Sequence, residues 1–235
     1  RVESKTYPNG VQALGSIDLT ISEGEFVAIV GPSGAGKTTL LKIVAGLDQD
    51  YKGQIKLTTS SLPQGALATA FMFQEPRLMP WLTVADNIRL VIPSLQREPL
   101  EARLNQLLTQ AGLSEFAQAY PKQLSGGMMR RVALLRAFIM SPALLLMDEP
   151  FQALDAPTAN QLRQMLLTLW QETRSTVLFV THSLREALML ADRVVFLSAR
   201  PSTVILDYRL SLPRPREIES SAIHELHQTL LTQYP

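Results

Sequence analysis

Between the apolar run Phe26-Val27-Ala28-Ile29-Val30 and the segment Thr39–Ala45 lies Gly31-Pro32-Ser33-Gly34-Ala35-Gly36-Lys37-Thr38. This stretch fills every fixed position of the phosphate-loop pattern G-x-x-x-x-G-K-[ST]. Few features constrain a fold more. A buried strand must run into a tight loop and then straight into a helix, which is the opening unit of a parallel α/β sheet. Glycines at 31, 34 and 36 let successive backbone N–H groups turn inward toward phosphate oxygens. Lys37 can set an ammonium between β- and γ-phosphates, and the Thr38 hydroxyl can ligate Mg²⁺. The helix that follows turns its positive end to the same oxygens. The alternative, a glycine-rich turn with a chance Lys-Thr pair, explains neither the strand before nor the helix after.

The rest of the chain fits that beginning. Alternating or apolar segments predict strands at Ser16–Ile21, Gly53–Leu57, Thr69–Phe73, Leu144–Met147, Thr176–Val180 and Arg193–Leu197. Helices are predicted over Leu100–Leu108, Thr158–Thr173, Ser183–Leu190 and Glu217–Thr232, and Thr83 and Ser183 each stand three residues before an acid, as capping residues do. Pro121 should break the chain between helices. Strand–helix alternation implies a parallel sheet with helices on both faces, interrupted by a helix-only insert. We therefore expect one domain over 1–235, α/β in class, with a core at about 1–82 and 141–235, an antiparallel β subdomain at the N-terminus and a helical subdomain at about 83–140.

Composition removes several functions. A net charge of +1 over 235 residues gives no electrostatic reason for a nucleic-acid surface, and no such partner is expected. The absence of cysteine excludes disulfides and thiolate metal sites. No apolar run approaches the roughly 20 residues that cross a bilayer, and no leader is expected from the opening Arg1-Val2-Glu3-Ser4-Lys5, which lacks an initiator Met. Any membrane role is expected to come through a partner.

Two further motifs carry chemistry. The strand Ala143–Met147 ends in Asp148-Glu149-Pro150. Ligands of parallel sheets sit beyond the carboxyl ends of strands, so this acid pair should serve the phosphate loop. One carboxylate can orient Mg²⁺ through water and the next can polarise an attacking water; the alternative is a solvated strand end. Leu124-Ser125-Gly126-Gly127-Met128 opens a predicted helix and makes a second anion-type site, unless Ser125 is simply an N-cap.

These three motifs together resemble the ATP-binding cassette (ABC) ATPases of membrane transporters, over essentially the whole chain. The resemblance implies ATP and Mg²⁺ as ligands, with Ser33 and Thr39 joining Gly31, Gly34, Gly36, Lys37 and Thr38 on the phosphates. It implies that Gln74 contacts Mg²⁺ alongside Thr38 and Asp148, that Glu149 is the catalytic base, and that His182 meets the γ-phosphate. Leu154-Asp155 resembles the loop that crosses to a second protomer, and Tyr7 the aromatic that stacks on adenine, although a surface tyrosine is the alternative. Ser125, Gly126 and Gly127 would complete the nucleotide of another copy, in a head-to-tail homodimer. Met128-Met129 stands where the family usually has Gln followed by Arg or Lys, which leaves that glutamine's polar contacts unaccounted for.

The segment Glu75–Val84, with Leu78, Met79, Trp81 and Leu82 between prolines, suits a groove for a partner helix, the alternative being a satellite core. It resembles the subgroup importing nitrate, sulfonates, taurine and thiamine-related pyrimidines, as do Leu197–Pro201 and Leu212–Arg216. The resemblance implies a transmembrane permease as partner, an extracytoplasmic binding protein indirectly, and a cytoplasmic location on the inner membrane face. An exporter or lipoprotein-release ATPase is the alternative, ahead of a DNA-repair ATPase.

Overall fold

The computed structural model describes residues 1–58, 68–92 and 97–233. They fall into two compact units, residues 1–58 with 176–235 and residues 59–175.

The first unit is organised on strand β3 (Phe26–Val30), in which all five residues are buried. β7 (Thr176–Thr181) and β8 (Arg193–Leu197) pair with it on either side, both parallel. Continuous apolar sequence is what a strand covered on both faces requires. Phe26 and Phe179 meet edge-on with ring centroids 5.9 Å apart, and each such buried side chain stabilises by about 1.5–3 kcal/mol. Helix α1 (Lys37–Val44) lies against β7, and α6 (Leu184–Leu190) against β3. A separate antiparallel sheet has the order β2 (Gln12–Leu14), β1 (Val2–Thr6), β4 (Lys52–Gly53). Helix α7 (Ser221–Gln233) packs on α6.

Three expectations about strands change. Ser16–Ile21 is not a strand: Ile17 exchanges two backbone hydrogen bonds with Val2 as an isolated bridge, although burial still alternates from Ser16 to Ile17 to Asp18. Strand β4 ends at Gly53; Gln54 still exchanges two hydrogen bonds with Arg1, and Ile55–Leu57 is irregular. The third change is an unforeseen strand, β9 (Val204–Arg209), which runs antiparallel to β8 and makes the sheet mixed. Its alternating burial was hidden by three successive apolar residues, Val204-Ile205-Leu206. The Arg193 guanidinium joins the pair by bonding Asp207 and the Thr20 carbonyl, and its hydrogen bonds, with its charge behind them, hold the Asp207 carboxyl below the usual carboxylate range.

In the second unit β5 (Thr69–Met72) pairs in parallel with β6 (Leu144–Asp148). Helices α2 (Val84–Arg89), α3 (Arg97–Gln110), α4 (Gly126–Phe138) and α5 (Ala156–Thr173) complete it. Thr83 caps α2, its hydroxyl accepting from the Asp86 N–H, and Pro121 opens a short 3₁₀ turn ahead of α4. Val84, Ile88, Leu104, Leu107, Leu135 and Phe138 are buried.

Candidate functional site: a phosphate loop and an acid-and-signature cluster

In the first unit the phosphate loop joins β3 to α1 with Gly34 at φ 79° and Gly36 at φ 76°, backbone that residues with a Cβ adopt at a cost. Space demands glycine too. A Cβ on Gly36 would stand 2.7 Å from Leu14 Cδ2 and 2.9 Å from the Ala13 carbonyl oxygen, and one on Gly34 2.8 Å from the Arg200 guanidinium. Gly36 also opens α1, with no side chain capping the helix. The helix end therefore offers its N–H groups and dipole to an anion. Lys37 is buried and donates to the carbonyls of Gly31 at 2.8 Å and Pro32 at 2.9 Å. Its ammonium thus lies within the curve of the loop. Ser33 is exposed, Thr38 half-buried and Thr39 buried. Ser202, fully buried, donates its hydroxyl to Ala35 O and Ala13 O, fastening the loop from behind.

Tyr7 is half-buried in the turn after β1, and its hydroxyl is 2.9 Å from that of Thr39. This tyrosine is therefore tied to the first turn of α1. His182 is exposed immediately after β7. Next to it Ser183 caps α6 from the Glu186 N–H, and Glu186 accepts from the Thr181 hydroxyl at 2.7 Å. The short link from strand to helix is therefore fixed on both sides of the histidine.

In the second unit Asp148 is the buried last residue of β6 and Glu149 the half-buried next one. Glu149 has φ 45° and Ala153 φ 60°, two left-handed residues in one loop without glycine. Strain of this kind persists where surroundings over-determine the backbone, and it gathers at functional sites. Gln74, exposed after β5, donates its amide to the Gln152 side chain.

Ser125 is the N-cap of α4, its hydroxyl accepting from the Met128 N–H at 3.2 Å. Ser125 and Gly126 are exposed, whereas Gly127 is buried: a Cβ there would stand 2.4 Å from Thr158 Cγ2. Glycine lets α4 and α5 approach at that point. Thr158 in turn gives Asp155 both its N–H, at 2.9 Å, and its hydroxyl, at 2.8 Å. These bonds, the backbone one foremost, hold the Asp155 carboxyl below its ordinary 3.8. Arg130, one turn into α4 and 9% exposed, donates to Pro150 O at 3.0 Å and Gln152 O at 2.7 Å. Burial lowers its pKa. Farther along α4, Arg136 reaches Pro76 O and Arg77 O, just beyond Gln74.

The structure thus gathers Tyr7 and the phosphate loop in one unit, and Gln74, the acid pair, the signature turn and Asp155 in the other. Sequence reasoning missed Arg130, Gln152, Thr158 and Ser202, whose partners are mostly main-chain groups that carry no sequence signal. It also missed Asn87, wholly buried in α2. Asn87 takes the Met79 N–H at 2.7 Å and donates to the carbonyls of Met79, Leu82 and Thr83. That bracket displays Trp81, which is 70% exposed.

A glycine cradle at an uncapped helix end, with a buried lysine, defines a P-loop nucleotide-binding protein. The chain belongs to the ABC transporter family, whose profile matches residues 14–152, and it is an ATPase. It is 41% identical to the aliphatic sulfonates import ATP-binding protein SsuB of Bacillus anthracis, over 95% of this chain and 89% of that one. It is 45% identical to SsuB 1 of Pseudomonas syringae pv. syringae, over 99% and 94%. Among solved structures it resembles the ATP-binding cassette MJ0796 in a dimeric, post-hydrolysis state bound to ADP and Pi. There the TM-score is 0.74 and the identity 33%, over 91% of this chain and 98% of that one.

Proposed function

We propose that this chain is the ATP-hydrolysing subunit of an importer for aliphatic sulfonates, acting on a membrane permease as a head-to-tail homodimer. The observation that carries the ATP reading is the loop at Gly31–Thr38, whose two left-handed glycines and buried Lys37 suit a triphosphate. The names of the relatives support import and the sulfonate class, within the wider range of nitrate, taurine and thiamine-related pyrimidines. The dimeric state of the similar cassette supports the pairing of two copies.

In this reading loop N–H groups and Lys37 hold the β- and γ-phosphates, with Ser33 and Thr39 at the edges. Tyr7, steadied by its bond to Thr39, stacks on adenine. Thr38, Gln74 and Asp148 offer only oxygen donors, which suit Mg²⁺. Among the described residues no cluster of three or more His, Cys, Asp or Glu could hold a metal. A Mg²⁺ ion held by Thr38, Gln74 and Asp148 would neutralise charge developing on the phosphates. Glu149 polarises the attacking water and His182 meets the γ-phosphate. Ser125, Gly126 and Gly127 of one copy close over the nucleotide of the other, and Asp155 crosses between them.

Among the described residues no helix is long and apolar enough to cross a membrane. Trp81, held out by the Asn87 bracket, and the segment from Leu78 to Leu82 form the surface a permease helix would take, with the chain at the inner membrane face and an extracytoplasmic binding protein delivering substrate. The test is growth on an aliphatic sulfonate as sole sulfur source in a strain lacking its own importer ATPase. The wild-type chain, supplied with its permease and binding protein, restores growth. Restoration by Lys37→Ala to the same level contradicts the reading.

A further inference from the structure

We infer that Arg130 is a positioning residue for hydrolysis, its guanidinium fixing the Glu149 loop and tying it to Gln74 and the signature end of α4; this rests on the ATPase reading. The loop from Glu149 to Ala153 needs an external hold, because left-handed backbone at Glu149 and at Ala153 disfavours itself by about 1 kcal/mol or more per residue. Arg130 supplies one. Its two terminal nitrogens bond carbonyls on both sides of Phe151, at Pro150 and Gln152. Phe151 is itself buried, with the Arg163 guanidinium 5.2 Å from its ring centre.

The same grip extends to Gln74. The Gln152 backbone accepts from Arg130 while its side chain accepts from the Gln74 amide. At the other end Arg130 lies one turn from Gly127, on the helix that Ser125 caps. A guanidinium withdrawn from water cannot give up its partners cheaply, so helix and loop are coupled stiffly. A shift of α4 when its Ser125 end engages a nucleotide would therefore move the backbone next to Glu149. A lysine lacks the planar fork and would hold the two carbonyls through one mobile ammonium, in a looser geometry. Arg131, the next residue, makes its bond elsewhere, to Ala111 O at 2.9 Å.

Steady-state turnover against MgATP concentration tests this in wild type, Arg130→Met, Arg130→Lys, Arg131→Met and Glu149→Gln. Arg130→Met should lower kcat about tenfold or more and leave KM within about twofold, as misplacement of a catalytic group does. Arg130→Lys should fall between, and Arg131→Met should match wild type. Turnover of Arg130→Met or Arg130→Lys at the wild-type rate overturns the inference, as does an equal loss in Arg131→Met. If Arg130→Met does not fold, Arg130→Lys decides alone, by a lower kcat at unchanged KM or by none. The underlying ATPase reading fails separately, if wild type does not hydrolyse ATP or if Glu149→Gln is as fast as wild type.

Discussion

Around the phosphate loop, position is set by what is missing: side chains absent at Gly34 and Gly36, and a cap absent at the start of α1. Around Glu149 the reverse holds. No glycine relaxes the turn, and Arg130 reaches across from α4 to hold it by its carbonyls. A loop formed by steric necessity is ready for its anion before the anion arrives. A loop held by a side chain on a helix can move when that helix moves. Under the proposed function the difference corresponds to a division of labour, with binding fixed in one region and turnover adjustable in the other.

The largest effect should come from breaking the steric side of this contrast. Gly36→Ala places a Cβ against Leu14 and the Ala13 carbonyl in left-handed backbone. We expect nucleotide affinity, measured by titration calorimetry, to fall at least about tenfold, for a cost of about 1.4 kcal/mol or more. Next comes Gly127→Ala, whose Cβ runs first into the Thr158 side chain, its methyl closest. Turnover should fall several-fold with nucleotide binding by the loop kept, and Thr158→Ser, which removes that methyl but keeps the hydroxyl for Asp155, should restore most of it. No rescue would mean that Gly127 is needed for something other than the approach of α4 to α5.

Asn87→Ala removes another side-chain bracket and takes away the bonds it makes to the part-buried Met79 N–H and Leu82 carbonyl. Its cost should be about 1 kcal/mol, read as a lower melting temperature at unchanged ATP affinity. The smallest effect concerns Asp155, whose carboxyl is held below 3.8 by the Thr158 N–H. The folded value lies below the unfolded one, so the contribution to stability is present above about pH 4 and disappears as pH falls through the folded value. The melting-temperature deficit of Asp155→Asn should accordingly shrink between pH 7 and pH 3.

The same contrast explains what could be read from the sequence. Glycine, lysine and threonine in the loop have few structural uses at that spacing, so Gly31–Thr38 declared its geometry, as did the apolar strand ending at Asp148-Glu149. Arg130 and Asn87 gave no such sign. A polar residue in a helix ordinarily faces water, and its partner here is a main-chain carbonyl distant in sequence or in a neighbouring turn. The left-handed backbone at Glu149 was equally silent, because nothing in Asp-Glu-Pro demands it. Strand β9 went unread because its alternation lies in the neighbours it meets and not in its own residue types.

The claim that binding and turnover are held separately is tested most directly on Glu149→Gln. MgATP affinity and hydrolysis rate should be measured on the same preparation, with the association state followed by light scattering. The account predicts affinity within about threefold of wild type, turnover lowered about 100-fold or more, and a dimer that persists in ATP. Turnover within a few-fold of wild type, or affinity lost together with it, would contradict the account.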